Sequence, residues 1–141
     1  MKRFLIGAVA LAIAAVAPTF AHHSFAMFDM EKETVFTGTV VEYNWENPHT
    51  HIIIKVAPGA KNPETVGTWD IEAAAINIMA RQGWTRNTLK PGDHVTLVAH
   101  PMRDGTKGAS LYYAITPDGK RLYMDIKRPG ATSDSPPSGN Y

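Results

Sequence analysis

Val35-Phe36-Thr37-Gly38-Thr39-Val40-Val41-Glu42-Tyr43-Asn44-Trp45, then Glu46-Asn47-Pro48, then His49-Thr50-His51-Ile52-Ile53-Ile54-Lys55-Val56: the fold of this chain is decided here. The first run is rich in β-branched and aromatic side chains and reads as a strand, with Val35, Thr37, Thr39, Val41, Tyr43 and Trp45 on one face. Gly38 in its middle predicts a bulge or a sharp coil. Asn47-Pro48 turns the chain. The second run alternates, with Thr50, Ile52, Ile54 and Val56 pointing one way and His49, His51, Ile53 and Lys55 the other.

Downstream, Pro58 to Pro63 is a loop of Pro, Gly and Asn, and Val66 to Glu72 is a third strand with Trp69 and Ile71 opposite Asp70 and Glu72. Ala73 to Gln82 holds good helix formers up to Gly83, which predicts a short helix capped by that glycine. Leu89-Lys90-Pro91-Gly92-Asp93 is a turn. A fourth strand follows, in which Val95, Leu97 and Ala99 alternate with His94, Thr96, Val98 and His100. Met102 to Gly108 is a polar hairpin loop, Ala109 to Thr116 a fifth strand, and Arg121 to Ile126 a short sixth one. Three strands, a helix and two or three more strands fit an all-β domain with one short helix, an OB-like Greek-key barrel of five to six strands. An open β-meander covered by one helix is the alternative. Closure removes exposed strand edges, which favours the barrel.

Upstream, Lys2 and Arg3 precede an uncharged, mostly apolar stretch of 14 residues from Phe4 to Ala17, followed by Pro18 and Thr19-Phe20-Ala21. This is the pattern of a secretory signal peptide over residues 1–21, cleaved after Ala21, and it implies a periplasmic address. The apolar run is shorter than the roughly 20 residues a membrane span needs, so no membrane anchor is expected after cleavage. The domain then runs over 22–127. Residues 128–141, rich in Pro, Gly and Ser, are expected to be a disordered tail.

Of 141 residues, 14 are Lys or Arg, 13 Asp or Glu, 6 His and none Cys. Loss of the leader removes Lys2 and Arg3 and reverses the net charge from +1 to −1. No basic excess points to nucleic acid. The absence of Cys excludes disulfides, thiolate metal sites and a cysteine nucleophile. No phosphate-binding glycine loop, serine elbow or His-Glu-x-x-His helix occurs, which disfavours a hydrolase; a non-enzymatic binding role is the default.

Several motifs together resemble a family of small exported bacterial proteins known only as a domain of unknown function. They are His22-His23-Ser24-Phe25-Ala26 after the leader, Phe36-Thr37-Gly38-Thr39-Val40, Trp45-Glu46-Asn47-Pro48-His49, Trp69-Asp70-Ile71-Glu72, Gly83-Trp84-Thr85-Arg86 and Leu89-Lys90-Pro91-Gly92-Asp93. The resemblance spans about residues 22–126 and implies an exported OB-like β fold. Ala73-Ala74-Ala75 departs from the turn-like start expected before the helix.

The candidate chemistry is histidine chemistry. Cleavage after Ala21 would make His22 the first residue, so that its α-amine and ring Nδ1 can chelate one ion; His23 follows. His49 and His51, at alternate strand positions, place two more imidazoles on one face, about 6.5–7 Å apart at their Cα atoms. A copper ion held by His22, His23, His49 and His51 is the expected site. Asp70 and Glu72 would accept ring N–H bonds behind it. The plain alternatives are a solvated chain end and half-exposed strand histidines. In that case the domain is an interaction module for a protein, an envelope glycan or a small ligand, without metal. His94 and His100 read as surface or rim residues. Trp45 and Trp69 read as core, and Phe25 and Phe28 as packing anchors of an extended arm.

Overall fold

The structure is a computed structural model, and it describes residues 25–124. The expected leader 1–21, His22, His23, the end of the expected sixth strand and the expected tail 128–141 lie outside the described residues.

Six strands form one sheet: β1 (Thr34–Asn44), β2 (His51–Val56), β3 (Gly67–Glu72), β4 (His94–Pro101), β5 (Gly108–Ile115) and β6 (Arg121–Tyr123). The order is β3-β2-β1-β4-β5-β6, and a parallel pairing of β3 with β5 closes the first five into a barrel. Asp70 to Glu72 opposite Gly108 to Ser110 make that closure. A single short helix, α1 (Ile76–Arg81), connects β3 to β4. This is the OB-like Greek-key barrel with one added strand, β6, paired with Tyr113 to Ile115 of β5.

β1 explains how so short a sheet closes. Thr34 to Thr39 pair with β4, and Thr39 to Asn44 pair with β2, so one bent strand serves both halves of the barrel. Gly38 sits at the bend. A Cβ there would lie 2.4 Å from the Lys55 carbonyl oxygen, a distance no side chain tolerates. The bulge itself falls two residues on, between Val40 and Glu42. It reverses the strand's alternation: Phe36 and Val40 point into the barrel before it, and Tyr43 packs on the core after it. The uniform face expected from Val35 to Trp45 is therefore two half-faces. Burial pushes the Tyr43 hydroxyl pKa up, and that hydroxyl donates to the Thr85 carbonyl at 3.1 Å.

β2 follows its expected alternation. Thr50, Ile52, Ile54 and Val56 are buried, against Phe36, Trp69, Ile71, Leu97 and Leu111 from the other strands. Trp69 meets Phe36 edge-on at 4.7 Å between ring centroids. Trp84 is the most buried tryptophan, its indole N–H donating to the Tyr123 carbonyl at 2.8 Å, whereas Trp45 is only half-buried against the core.

α1 is shorter than the expected 73–82. Ala73 donates its N–H to the Thr50 carbonyl, and Ala74 accepts from the Thr50 N–H, so Ala73 and Ala74 extend the sheet ladder instead of starting the helix. Gly83 ends the helical segment at φ +89°, as a cap requires. His100 is not a rim residue: it is 5% exposed, and its Nδ1–H donates to the Lys32 carbonyl at 3.0 Å. Among the described residues, no helix is long and apolar enough to cross a membrane.

Candidate functional site

The outer face of the β2–β3 ribbon carries two imidazole–carboxylate pairs. His51 stands opposite Glu72 in the register, and Ile53 opposite Asp70. The rings reach diagonally by one pleat: His51 Nδ1 bonds Asp70 Oδ1 at 2.8 Å, and His49 Nδ1 bonds Glu72 Oε1. An ionised carboxylate only accepts, so each Nδ1 carries the hydrogen. In the neutral ring that leaves Nε2 as the basic, metal-binding nitrogen, directed away from the carboxylate. The rings are about one-third exposed, at 32% for His49 and 31% for His51.

Local sequence sets this up. Thr50 is fully buried and locked to Ala73 and Ala74 by backbone bonds on both sides, so its neighbours His49 and His51 both project outward. His49 itself precedes β2, at the end of the Asn47-Pro48 turn, where the peptide bond is cis.

The two pairs have different surroundings. His49 and Glu72 line a cavity of about 420 Å³ together with Phe25, Phe28, Pro48 and Ala73 to Ala75, and with Ile78, Ser110 and Met124. His51 and Asp70 lie outside it. No local pattern marks this chamber, because Met124 after β6, Ser110 of β5 and the N-terminal turn meet only in the folded barrel. Glu72 and Ser110 face each other across the β3–β5 closure, and Met124 is fixed beside them by its N–H bond to the Tyr112 carbonyl at 2.9 Å.

The arm differs from expectation in one respect. Phe25 to Met27 form a 3-10 turn, and only Phe28 is buried, pairing in an isolated bridge with Met102. Phe25 remains 59% exposed at the mouth of the cavity. Among the described residues no group of three or more His, Cys, Asp or Glu is placed to hold a metal. The four expected ligands divide accordingly: His49 and His51 are side by side, and His22 and His23 lie outside the described residues.

Asp70 and Glu72 each serve one histidine across the ribbon. His94 is engaged elsewhere, its Nδ1 lying 3.3 Å from Thr39 Oγ1.

The sequence profile of a Family of unknown function (DUF6152) matches residues 9–111. The chain belongs to this family. The DUF6152 match takes in the turn at Phe25, both imidazole–carboxylate pairs and the helix, and it ends inside β5, short of Met124. No curated protein and no solved structure matches the chain.

Proposed function

We propose that this is an exported, periplasmic metal-binding domain that holds one copper ion at the outer β2–β3 face. Its ligands are the α-amine and ring of His22, the ring of His23, and the Nε2 atoms of His49 and His51. Glu72 and Asp70 orient the last two rings from behind. The observation that carries the reading is the repeated arrangement of two adjacent imidazoles, each with Nδ1 held by its own carboxylate. A carboxylate on the distal nitrogen fixes the tautomer and raises the basicity of the ligating one, and it is the usual partner of a metal-bound histidine.

A second observation supports the contribution of the chain end. Phe25 lines the same cavity as His49, and the three residues before it span at most about 10 Å of extended chain. All-nitrogen ligands suit Cu(II).

Calorimetry on the chain beginning at His22 tests the reading. One equivalent of Cu(II) should bind, and the double change His49→Ala and His51→Ala should weaken binding at least tenfold. Absence of binding, or affinity unchanged in the double variant, removes the proposal.

The exposed Phe25 on the wall of a largely apolar cavity favours a second reading, an interaction module that takes a small ligand or partner without metal. It gains if the chain binds no copper.

A further inference from the structure

Of the side chains around the cavity, one has metal chemistry that the copper reading leaves unused. Met124 follows β6, is 6% exposed, and lines the cavity that His49 and Glu72 also line. Its position is fixed on two sides. The Met124 N–H bonds the Tyr112 carbonyl of β5 at 2.9 Å, and the β5 residue Ser110, in the same wall, pairs with Glu72 in the parallel register. The thioether and the imidazole thus approach one chamber from opposite sides of the barrel closure.

We infer that this chamber is a monovalent-copper site in which the Met124 thioether joins the His49 imidazole as a ligand. The inference rests on the copper reading above and deepens it by oxidation state. Thioether sulfur is a soft donor that selects Cu(I) over harder cations, and imidazole is a competent ligand for either state. The remaining wall consists mainly of Phe25, Phe28, Pro48, Ile78 and alanines, whose side chains offer no hard ligand to compete for a soft ion. His49 then belongs to both sets. With the nitrogens of the chain end and His51 it serves Cu(II) at the surface, and with Met124 it serves Cu(I) in the chamber. The protein transfers no electron in this scheme; each ion binds in the state in which it is delivered.

Silver(I), a redox-inert d10 stand-in for Cu(I), is the probe. The chain beginning at His22, with its methionine methyl groups carrying carbon-13, is titrated with Ag(I) and followed by NMR. The Met124 methyl resonance should move on binding, and that of Met102, which does not line the cavity, should stay in place. Met124→Leu, close in volume and apolar, should weaken Ag(I) binding at least tenfold, whereas Met102→Leu should change it less than twofold. The methyl readout on the unaltered chain keeps the test valid if Met124→Leu folds poorly.

A stationary Met124 methyl, or equal Ag(I) affinity in the unaltered and Met124→Leu chains, overturns the inference and leaves the Cu(II) reading standing. Failure of the unaltered chain to bind Cu(II) instead overturns the reading on which it rests.

Discussion

The two faces of the segment 49–56, which is β2 with the two residues before it, are held by different forces. The inner face, Thr50, Ile52, Ile54 and Val56, is sealed in the barrel, and three of its four side chains carry no polar group. The outer face presents His49 and His51, each about one-third exposed and each bonded to an acid on β3. Burial of apolar surface fixes the first at roughly 25 cal/mol per Å². Exposed charged or polar pairs contribute far less, about 0–1 kcal/mol each, once solvent screening is counted. One face therefore sets whether the chain folds, and the other is open to chemistry at little cost in stability.

The sharpest way to break this contrast is on the inner face. Ile54→Ala deletes a fully buried side chain at the centre of the core and should lower stability by about 2–5 kcal/mol in urea unfolding. A loss below 1 kcal/mol would mean that the barrel interior is not packed as described. Next in size is Gly38→Ala at the bend of β1. The added methyl meets the Lys55 carbonyl and should cost about 1–3 kcal/mol by the same measurement, because β1 and β2 must separate there.

On the outer face, His49→Ala with His51→Ala should lower stability by no more than about 1–2 kcal/mol in total while abolishing most copper affinity. A collapse of the fold in that variant would contradict the division of labour. The smallest effect lies in the exposed β4–β5 loop. There the Thr106 hydroxyl and backbone N–H bond Asp104 at 2.7 and 3.0 Å and hold its carboxyl below the usual carboxylate range. A depressed folded pKa contributes stability that is present above the unfolded value and lost as pH falls through the folded one. Thr106→Val should raise the Asp104 pKa toward its ordinary value in an NMR titration and trim the stability that the carboxylate contributes above that pH.

Much of the fold was legible because local and tertiary demands agree. The alternation from Thr50 to Val56, the turn at Asn47-Pro48, the cap at Gly83 and the strand–helix–strand order all survive in the barrel. What was not legible depends on pairing. The β1 bulge displaced from Gly38 to Val40/Glu42 inverts the face of Tyr43, and no residue type marks it. Ladder bonds to Thr50 override the helix propensity of Ala73 and Ala74. His100 is drawn inside by a carbonyl 68 positions earlier in the chain.

At the site, strand parity alone placed His49, His51, Asp70 and Glu72 on outward faces. Which acid serves which ring follows from the diagonal register, and that is visible only once β2 and β3 are paired. Met124 carries no local mark at all, since it joins His49 through the closure of the barrel.

The central claim is that a chain end and a strand pair share one ion. The most direct measurement is Cu(II) calorimetry on two otherwise identical chains, one beginning at His22 and one carrying a single glycine before it. The account predicts one tightly bound equivalent for the first and a loss of at least tenfold in affinity for the second, whose α-amine is displaced from the His22 ring. Equal affinities would contradict it.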